Sequence, residues 1–170
     1  MNLKLKKIRQ SDLSAFKKMF QEAFQKGYED KFGKCKDTIL PEKDIDQSLS
    51  TKGAIAYKAV IDDKMVGGAI VVINDDQCND LHLLCVKVRS QNKGIGKTIW
   101  FEIEKLHPNT KQWRTCTPCF ETRNIHFYTQ VCGFQITRKF DDANQMENTP
   151  SDFIGDGGQG MFELVKTINN

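Results

Sequence analysis

A glycine-bearing segment between a predicted strand and a predicted helix carries the clearest chemical signal in the sequence. Residues 81–88 form a short apolar run typical of buried strands, whereas residues 97–106 repeat apolar side chains at helical spacing. The connecting segment is Gln91-Asn92-Lys93-Gly94-Ile95-Gly96. A helix that begins after such a turn offers unpaired N–H groups and a positive dipole end to an anion. We therefore predict a phosphate or pyrophosphate cradle formed by this segment together with Lys97 and Thr98.

Three known anion-binding motifs share features with this segment, and their spacing separates them. Gly96-Lys97-Thr98 completes a P-loop, but Gln91 occupies the position of its first glycine. Gly94 and Gly96 begin the dinucleotide-binding fingerprint, but Ile99 occupies the position of its third glycine. The pattern Gln/Arg-x-x-Gly-x-Gly/Ala is matched in full. This segment therefore resembles the acetyl-CoA pyrophosphate loop of the GNAT N-acetyltransferase superfamily; the alternative is an ordinary strand–turn–helix junction.

Length, charge and composition limit the classes of protein to consider. A chain of 170 residues predicts a single domain, residues 1–170, that can bury a core. The net charge of +3 and the scattered basic residues argue against nucleic acid as a partner. The sequence has no apolar run near 18 residues, and its N-terminus lacks the apolar core of a signal peptide, so we expect no membrane association. The six cysteines are then expected to be reduced thiols of a cytoplasmic protein.

The whole chain predicts elements in the order β-α-α-β-β-β-α-β-α-β-β. Periodicity and turn residues place strands at 3–8, 54–61, 65–73, 81–88, 112–117, 134–140 and 161–168, and helices at 13–26, 41–49, 97–106 and 122–132. Residues 27–40 are expected to be irregular. This order is that of the GNAT fold, an α/β (α+β) architecture in which a mixed, mostly antiparallel sheet is flanked by helices.

A helix tyrosine is the candidate general acid. Tyr128 is followed by Gly133-Phe134, which resembles the GNAT signature whose tyrosine protonates the departing cofactor sulfur. A phenol with a pKa near ~10 and a thiol with a pKa near ~8.5 are close enough for such a transfer. Asn124, one turn earlier on the same face, is expected to bind the pantetheine arm, although the position usual for that asparagine holds Glu121. The alternative for Tyr128 is a packed core aromatic.

The strand before the loop supplies the other roles that the resemblance implies. In GNAT proteins this strand bulges and splays from its neighbour, so Val86 and Val88 are expected to bind the cofactor, with the Val86 N–H as oxyanion donor. Asp80 and His82 match positions where several GNAT enzymes carry a base. A base is useful because deprotonating an ammonium of pKa ~10.4 at pH 7 costs roughly 4.6 kcal/mol. Each residue also has a structural alternative: Asp80 could simply end a turn, and His82 could be a hydrogen-bonded histidine of the core.

These features together predict transfer of an acetyl group from acetyl-CoA to a primary amine, without a metal. Direct attack in a ternary complex is favoured over a cysteine-bound intermediate, because Cys85 should alternate away from the face of Val86. The acceptor is expected to be a small-molecule or peptide amine, and GNAT proteins often form homodimers. A CoA-binding sensor or partner module without catalysis is the first alternative. A nucleotide-phosphate enzyme built on Gly96-Lys97-Thr98 is the second.

Two further clusters have weaker chemical interpretations. Cys116 and Cys119, with His126 and Cys132 downstream, match a Cys₃His zinc site by count, or a redox pair. The absence of a second Cys-x-x-Cys argues against zinc, and the absence of a thioredoxin-like setting argues against redox chemistry. Residues 141–160 carry five acids and no lysine or arginine, and are expected to be a solvated loop or a region that attracts a cationic acceptor such as a polyamine.

Overall fold

Seven strands form one sheet, with helices on both of its faces. The computed structural model describes residues 1–147, 149 and 152–169. The strands are β1 (Leu3–Lys7), β2 (Ala54–Ile61), β3 (Lys64–Val72), β4 (Cys78–Val86), β5 (Gln112–Pro118), β6 (Gln135–Phe140) and β7 (Met161–Thr167). The helices are α1 (Leu13–Phe32), α2 (Glu42–Ser50), α3 (Ile95–Leu106) and α4 (Thr122–His126). A π-helical turn, Phe127–Cys132, continues α4, and short 3₁₀ turns occupy Gln10–Asp12 and Val88–Ser90.

The sheet is mixed and mostly antiparallel, which confirms the predicted fold class. Its strand order is β1-β2-β3-β4-β5-β7-β6, and every neighbouring pair is antiparallel except β4 and β5. Parallel neighbours need a crossover connection, which α3 provides. The hairpin turn between β2 and β3 is formed by Asp62 and Asp63, which both have positive φ, as a tight two-residue turn requires.

The core consists of two apolar layers, one on each face of the sheet. On one face, α3 packs Ile99, Trp100 and Ile103 against Trp113 of β5, and the two tryptophan rings lie 5.3 Å apart. On the other face, apolar residues of α1 and α2 pack against Ile70 of β3. Both faces of the central strands are therefore buried. A site can form in this sheet only where two neighbouring strands stop pairing.

Strands β4 and β5 pair over a short distance and then diverge. Their pairing runs from Cys78 and Gln112 to Asp80 and Arg114. The next contact is made by a side chain, because the Thr115 hydroxyl donates to the Leu81 carbonyl at 2.9 Å. Strand β4 also bulges towards β3, since Val71 pairs with Leu81 and Ile70 pairs with Leu83, which leaves His82 as the extra residue. The splay that the family resemblance implied is present, whereas the bulge lies at His82 and not at Val86, which pairs in regular register with Gly67.

Helix α1 is longer than predicted, and this corrects one expectation. It continues through Gly27 to Phe32, whereas residues 27–40 were expected to be irregular. The extension is held by tertiary contacts, because the rings of Tyr28 and Phe32 lie 5.9 and 5.0 Å from that of Phe120. Aromatic packing across the chain therefore overrides the low helix propensity of glycine. When α4 is counted together with the π-helical turn that continues it, the bounds of the other elements differ from the prediction by at most three residues.

The helix that carries Tyr128 contains a π-helical turn. Residues Phe127–Cys132 form this turn, and it ends at Gly133, whose φ of 90° is left-handed. The Phe134 N–H donates to the Tyr128 carbonyl at 2.9 Å. A π-helical turn contains more residues than an α-helical turn. The π-helical turn thus sets how many residues separate Tyr128 from Gly133.

The acidic segment 141–160 has no helix or strand among its described residues, as expected for a loop. Several of its carboxylates are engaged locally. Asp141 accepts from the N–H groups of Ala143 and Asn144, and Asp152 pairs with Lys43 of α2 at 2.8 Å. Asp156 accepts from the N–H groups of two glycines further along the segment. Residues 148, 150 and 151 lie outside the described residues. These carboxylates therefore have structural partners, which weakens their expected attraction of a polyamine.

Within the described residues, none of the helices combines the length and the apolar character needed to cross a membrane.

Candidate acetyl-transfer site

The predicted cradle lies at the N-terminus of α3. Gly94, which precedes the helix, has φ 76° and ψ 9°, a left-handed conformation that side-chain-bearing residues adopt at a cost. The Thr98 N–H donates to the Gly94 carbonyl at 3.2 Å. The N–H groups of Ile95, Gly96 and Lys97 therefore precede the first helical hydrogen bond and are available to an anion.

Side chains fix the turn that leads into this helix. Gln91 donates from Nε2 to the Val86 carbonyl at 3.2 Å, which ties the turn to the end of β4. The Asn92 Oδ1 accepts a hydrogen bond from the Arg123 guanidinium. Lys97 and Arg123 thus bring two positive charges to the cradle, as an anionic ligand requires.

A cavity of about 540 Å³ lies between the diverging strands and the cradle. Its floor is formed by Leu84, Cys85 and Val86 of β4 and by Pro118 of β5. The cradle contributes Gln91, Asn92, Gly94, Ile95, Gly96 and Lys97, joined by Arg123, Asn124, Phe127 and Val131 of the α4 region. A further group, the α1 wall, is defined here as Phe24, Gly27, Tyr28, Asp30, Ile39, Phe120 and Glu121. One cavity therefore connects a cationic helix N-terminus to a largely apolar wall.

The model of the acetyltransferase (GNAT) family matches residues 13–134, which include the cradle, the divergent strands and the Tyr128 helix. The chain belongs to the GNAT acetyltransferase family. An uncharacterized protein of Bacillus subtilis (strain 168), YrkN, is 40% identical over 140 residues, which make up 81% of this chain and 76% of that protein.

Solved GNAT structures share the fold at low sequence identity. An IAA acetyltransferase from Bacillus cereus ATCC 14579 matches with a TM-score of 0.71 and 15% identity, over 98% of this chain and 100% of that one. A GNAT family acetyltransferase from Elizabethkingia anophelis with acetyl-CoA bound matches with a TM-score of 0.70 and 17% identity, over 98% and 99% of the two chains. These matches establish that the fold extends over nearly the whole chain.

Most residues predicted to bind the GNAT cofactor lie on the cavity wall. The wall includes Val86, Gln91, Asn92, Gly94, Ile95, Gly96, Lys97 and Asn124. Val88, Lys93 and Thr98 are not part of it; Val88 lies in a 3₁₀ turn, and Thr98 donates its hydroxyl to the Gly94 carbonyl at 3.1 Å. The predicted cradle is therefore assembled mainly from backbone groups and from the cations beside it.

Tyr128 lies behind the cavity wall. Its side chain is 7% exposed and packs between Phe127 and Phe134, and its hydroxyl lies beside Thr115. Burial raises the pKa of Tyr128 well above its ordinary value, so the phenol is protonated at neutral pH. Asn124, one turn earlier, donates to the Thr117 hydroxyl at 3.4 Å. Asn124 and Tyr128 thus lie on one face of the helix, as their spacing predicted. They contact Thr117 and Thr115, which are on the same side of β5.

Asp80 and His82, the candidate bases, lie outside the cavity lining. Asp80 accepts from the Arg114 Nε at 2.9 Å in an ion pair. His82 contacts the Ser48 hydroxyl through Nδ1 at 3.2 Å, at the bulge of β4. Burial lowers the pKa of His82, and the nearby Asp80 carboxylate partly opposes this shift. The structure gives both residues partners of their own and does not bring them to the cavity wall.

The cysteines considered for zinc or redox chemistry are unpaired thiols. Burial raises the pKa of Cys116 to about 11 and that of Cys132 to about 12, so both thiols are protonated at neutral pH. Across residues 1–147, 149 and 152–169, no group of three His, Cys, Asp or Glu side chains is arranged to hold a metal ion.

Glu121 is a cavity residue to which the sequence analysis assigned no role. It immediately precedes α4, is half-buried, and lines the cavity opposite Gly27 of α1. Burial raises its pKa, with the Arg123 charge opposing the shift. The family resemblance did contain a signal, because it implies an asparagine at the position that Glu121 occupies.

The left-handed conformation of Gly94 predicts that a side chain at this position lowers the stability of the protein. Gly94→Ala is expected to lower the free energy of unfolding by about 1–2 kcal/mol, because an L-residue is strained at that φ. Gly96→Ala is the matched control. Its Cβ would make ordinary 3.5 Å contacts with Phe127 and Val86, and alanine should stabilise the helix by about 0.5–1 kcal/mol. Urea unfolding measures both, and equal stabilities of Gly94→Ala and wild type would contradict the cradle geometry.

Proposed function

We propose that this GNAT protein transfers the acetyl group of acetyl-CoA to a primary amine by direct attack in a ternary complex. The observation that carries the proposal is the helix N-terminus of α3, which opens into the cavity between β4 and β5. Its free N–H groups and the cations Lys97 and Arg123 suit the pyrophosphate of CoA. The cavity beyond it has room for the pantetheine arm and an acceptor.

The backbone of β4 supports an oxyanion site. Val86 pairs with Gly67 of β3, and the Lys87 N–H donates to the Val66 carbonyl at 2.7 Å. In an antiparallel ladder this makes Val86 and Gly67 a non-hydrogen-bonded pair, whose N–H and C=O groups point away from each other. The Val86 N–H therefore points to the β5 side, where the strands have separated. We propose that it donates to the thioester oxygen as negative charge develops there.

Tyr128 is the proposed acid for the departing thiolate. Its hydroxyl lies beside Thr115, the first residue of β5 beyond the pairing with β4, and its raised pKa keeps it protonated. Because Tyr128 is buried, the cofactor sulfur must enter the space between β4 and β5 to reach its hydroxyl. Asp80 and His82 are the bases proposed by position. Because neither lines the cavity, they would act through water.

Cys85 supports direct attack over a cysteine-bound intermediate. It lies in the apolar layer beneath α1, whereas Leu84 and Val86 belong to the opposite layer, as the alternation predicted. Its side chain is buried, and burial strongly raises the pKa of the thiol. A protonated thiol is a poor nucleophile.

The acceptor class and the compartment follow from the same proposal. We propose a small-molecule or peptide primary amine as acceptor, because carboxylates reach the α1 wall of the cavity. We propose the cytoplasm as the compartment, because the six cysteines are unpaired thiols, which suits a reducing environment.

Tyr128→Phe separates an enzyme from a CoA-binding module. If Tyr128 is the acid, kcat should fall by about 10²–10⁴-fold, with acetyl-CoA affinity unchanged. Thiol release from acetyl-CoA with a panel of primary amines measures the rate, and mass spectrometry confirms the acetylated product.

Tyr57→Phe is the control for loss of a buried hydroxyl. The Tyr57 hydroxyl bonds the His107 ring at 2.9 Å in the core, away from the cavity. The control should lose about 0.5–1.5 kcal/mol of stability but keep its kcat. Equal rates for Tyr128→Phe and wild type would remove Tyr128 from the mechanism. A wild-type chain that binds acetyl-CoA but acetylates none of the amines would favour the binding module.

Cys85→Ala tests the route of transfer. Direct attack predicts that the variant keeps turnover within a few-fold of wild type, since the thiol takes no part in the reaction. Initial rates at varied acetyl-CoA and amine should give intersecting lines for both proteins, as in a ternary complex. Loss of turnover with intact acetyl-CoA binding, together with parallel lines for wild type, would instead indicate an acetyl-cysteine.

A further inference from the structure

Glu121 is a carboxylate placed on the apolar part of the cavity wall. It is half-buried, and it lies among Phe24, Tyr28, Ile39 and Phe120 of the α1 wall. In the described residues no side chain donates a hydrogen bond to it or pairs with it; Arg123 and Asp30 act on it only as charges at longer range. A carboxylate in such surroundings is costly unless a cation reaches it.

Helix α1 leaves room for this carboxylate through a glycine. Gly27 lies well inside α1, where glycine lowers helix stability relative to alanine. A Cβ built at Gly27 would lie 3.1 Å from the Glu121 Oε2 and 3.5 Å from its Cδ. The absence of a side chain at Gly27 thus lets the Glu121 carboxylate approach the α1 backbone across the cavity. This close approach is an observation independent of the charge itself.

The surroundings define the chemistry of a ligand. The rings of Tyr28 and Phe120 pack edge to face with centroids 5.9 Å apart, and both line the cavity beside Glu121. Aromatic faces attract an ammonium and also bury an apolar body. The other carboxylate of the wall, Asp30, is already neutralised by Lys26, whose Nζ lies 2.6 Å from it. Within the described residues Glu121 has no ion-pair partner, and Arg123 acts on it only at longer range. A negative charge so placed beside apolar side chains fits one positive charge on an apolar molecule.

Building on the proposed function, we infer that Glu121, in place of Asp80 and His82, binds the ammonium group of the acceptor and takes its proton. The acceptor would be a monoamine with an apolar body about the size of one aromatic ring. The cradle and this carboxylate would then separate the two substrates by charge. The anionic cofactor lies at Lys97 and Arg123, and the cationic acceptor lies at the α1 wall.

The reaction balances with these groups. The ammonium gives one proton to the Glu121 carboxylate, and the freed nitrogen pair forms the C–N bond at the thioester carbonyl carbon. The C–S bond breaks, and its electron pair leaves with sulfur. The Tyr128 hydroxyl gives sulfur a proton, and Tyr128 regains a proton when the new amide nitrogen loses one. Glu121 then returns its proton to solvent. The sum converts an alkylammonium and acetyl-CoA into an acetamide, the CoA thiol and one proton.

The test measures amine binding apart from turnover. Isothermal titration of 2-phenylethylamine into the protein–CoA complex should show binding by wild type and at least a tenfold larger Kd for Glu121→Gln. Glu22→Gln, at an exposed α1 residue outside the cavity lining, is the control for loss of a carboxylate and should bind as wild type does. Uncharged 2-phenylethanol should bind wild type and Glu121→Gln alike, and spermidine should bind wild type more weakly than 2-phenylethylamine.

A pH profile adds a readout of the titrating group. The charges that face Glu121 are Arg123 on its own helix and Lys26 and Asp30 on α1. Burial raises the pKa of Glu121, so wild-type kcat/KM should be lost as pH falls through that raised pKa, and this acid limb should be absent in Glu121→Gln.

Several outcomes would overturn the inference. They are equal 2-phenylethylamine binding by wild type and Glu121→Gln, no binding by wild type, tighter binding of spermidine, and a larger loss in Asp30→Asn than in Glu121→Gln. The thermal shift with acetyl-CoA should be the same in wild type and Glu121→Gln. If that shift is present while the amine results fail, the inference is wrong and the acetyl-CoA site stands. If wild type shows no shift with acetyl-CoA, the proposed function itself fails.

Discussion

The site depends on the point at which β4 and β5 stop pairing. A buried sheet normally satisfies every backbone N–H and C=O in its ladders, and an unpaired group in the interior is costly. Here the ladder ends at Asp80 and Arg114, and a side-chain bond from Thr115 to the Leu81 carbonyl closes it. Beyond that bond no strand pairs with the β5 side of β4, and the cavity lies beside Val86 instead. The Val86 carbonyl accepts from Gln91, and the Val86 N–H is the group that the divergence leaves without a strand partner.

The same divergence positions the anion cradle. Strand β4 continues to Val86, beyond its last pairing with β5 at Asp80, and residues 87–94 then lead into α3. Gln91 in this connection donates a hydrogen bond back to the Val86 carbonyl. The left-handed Gly94 then directs the first N–H groups of the helix towards the opening. Backbone geometry therefore supplies most of the proposed cofactor site, and side chains contribute charge.

The fold could be predicted from the sequence because its signals are local. Periodicity, the Asp62-Asp63 turn and the match at Gln91, Gly94 and Gly96 each depend on neighbouring residues. The extension of α1 could not be predicted in this way, since it depends on Phe120, almost ninety residues further on. Most of the residues predicted to bind the cofactor line the cavity, and their role there stays a prediction. The candidate bases Asp80 and His82 do not line the cavity. The ion pair between Asp80 and Arg114 could not be predicted locally, because the two residues lie on different strands.

The role of Glu121 likewise could not be predicted from local sequence. Its chemistry arises from Gly27, Tyr28 and Phe120, which only the tertiary structure brings together. The sequence shows a glutamate where the family resemblance implies an asparagine, but it does not show the burial of this glutamate or its lack of a paired cation.

The most direct test of the cofactor site is thermal unfolding with acetyl-CoA, CoA, Mg-ATP and NAD in parallel. A ligand at 100 times its Kd stabilises a protein by roughly 2.7 kcal/mol, which for a chain of this size raises Tm by about 5–10 °C. A shift with acetyl-CoA and CoA, and none with Mg-ATP or NAD, is the predicted result. A shift with Mg-ATP alone would contradict it and would indicate that Gly96-Lys97-Thr98 binds a nucleotide phosphate instead.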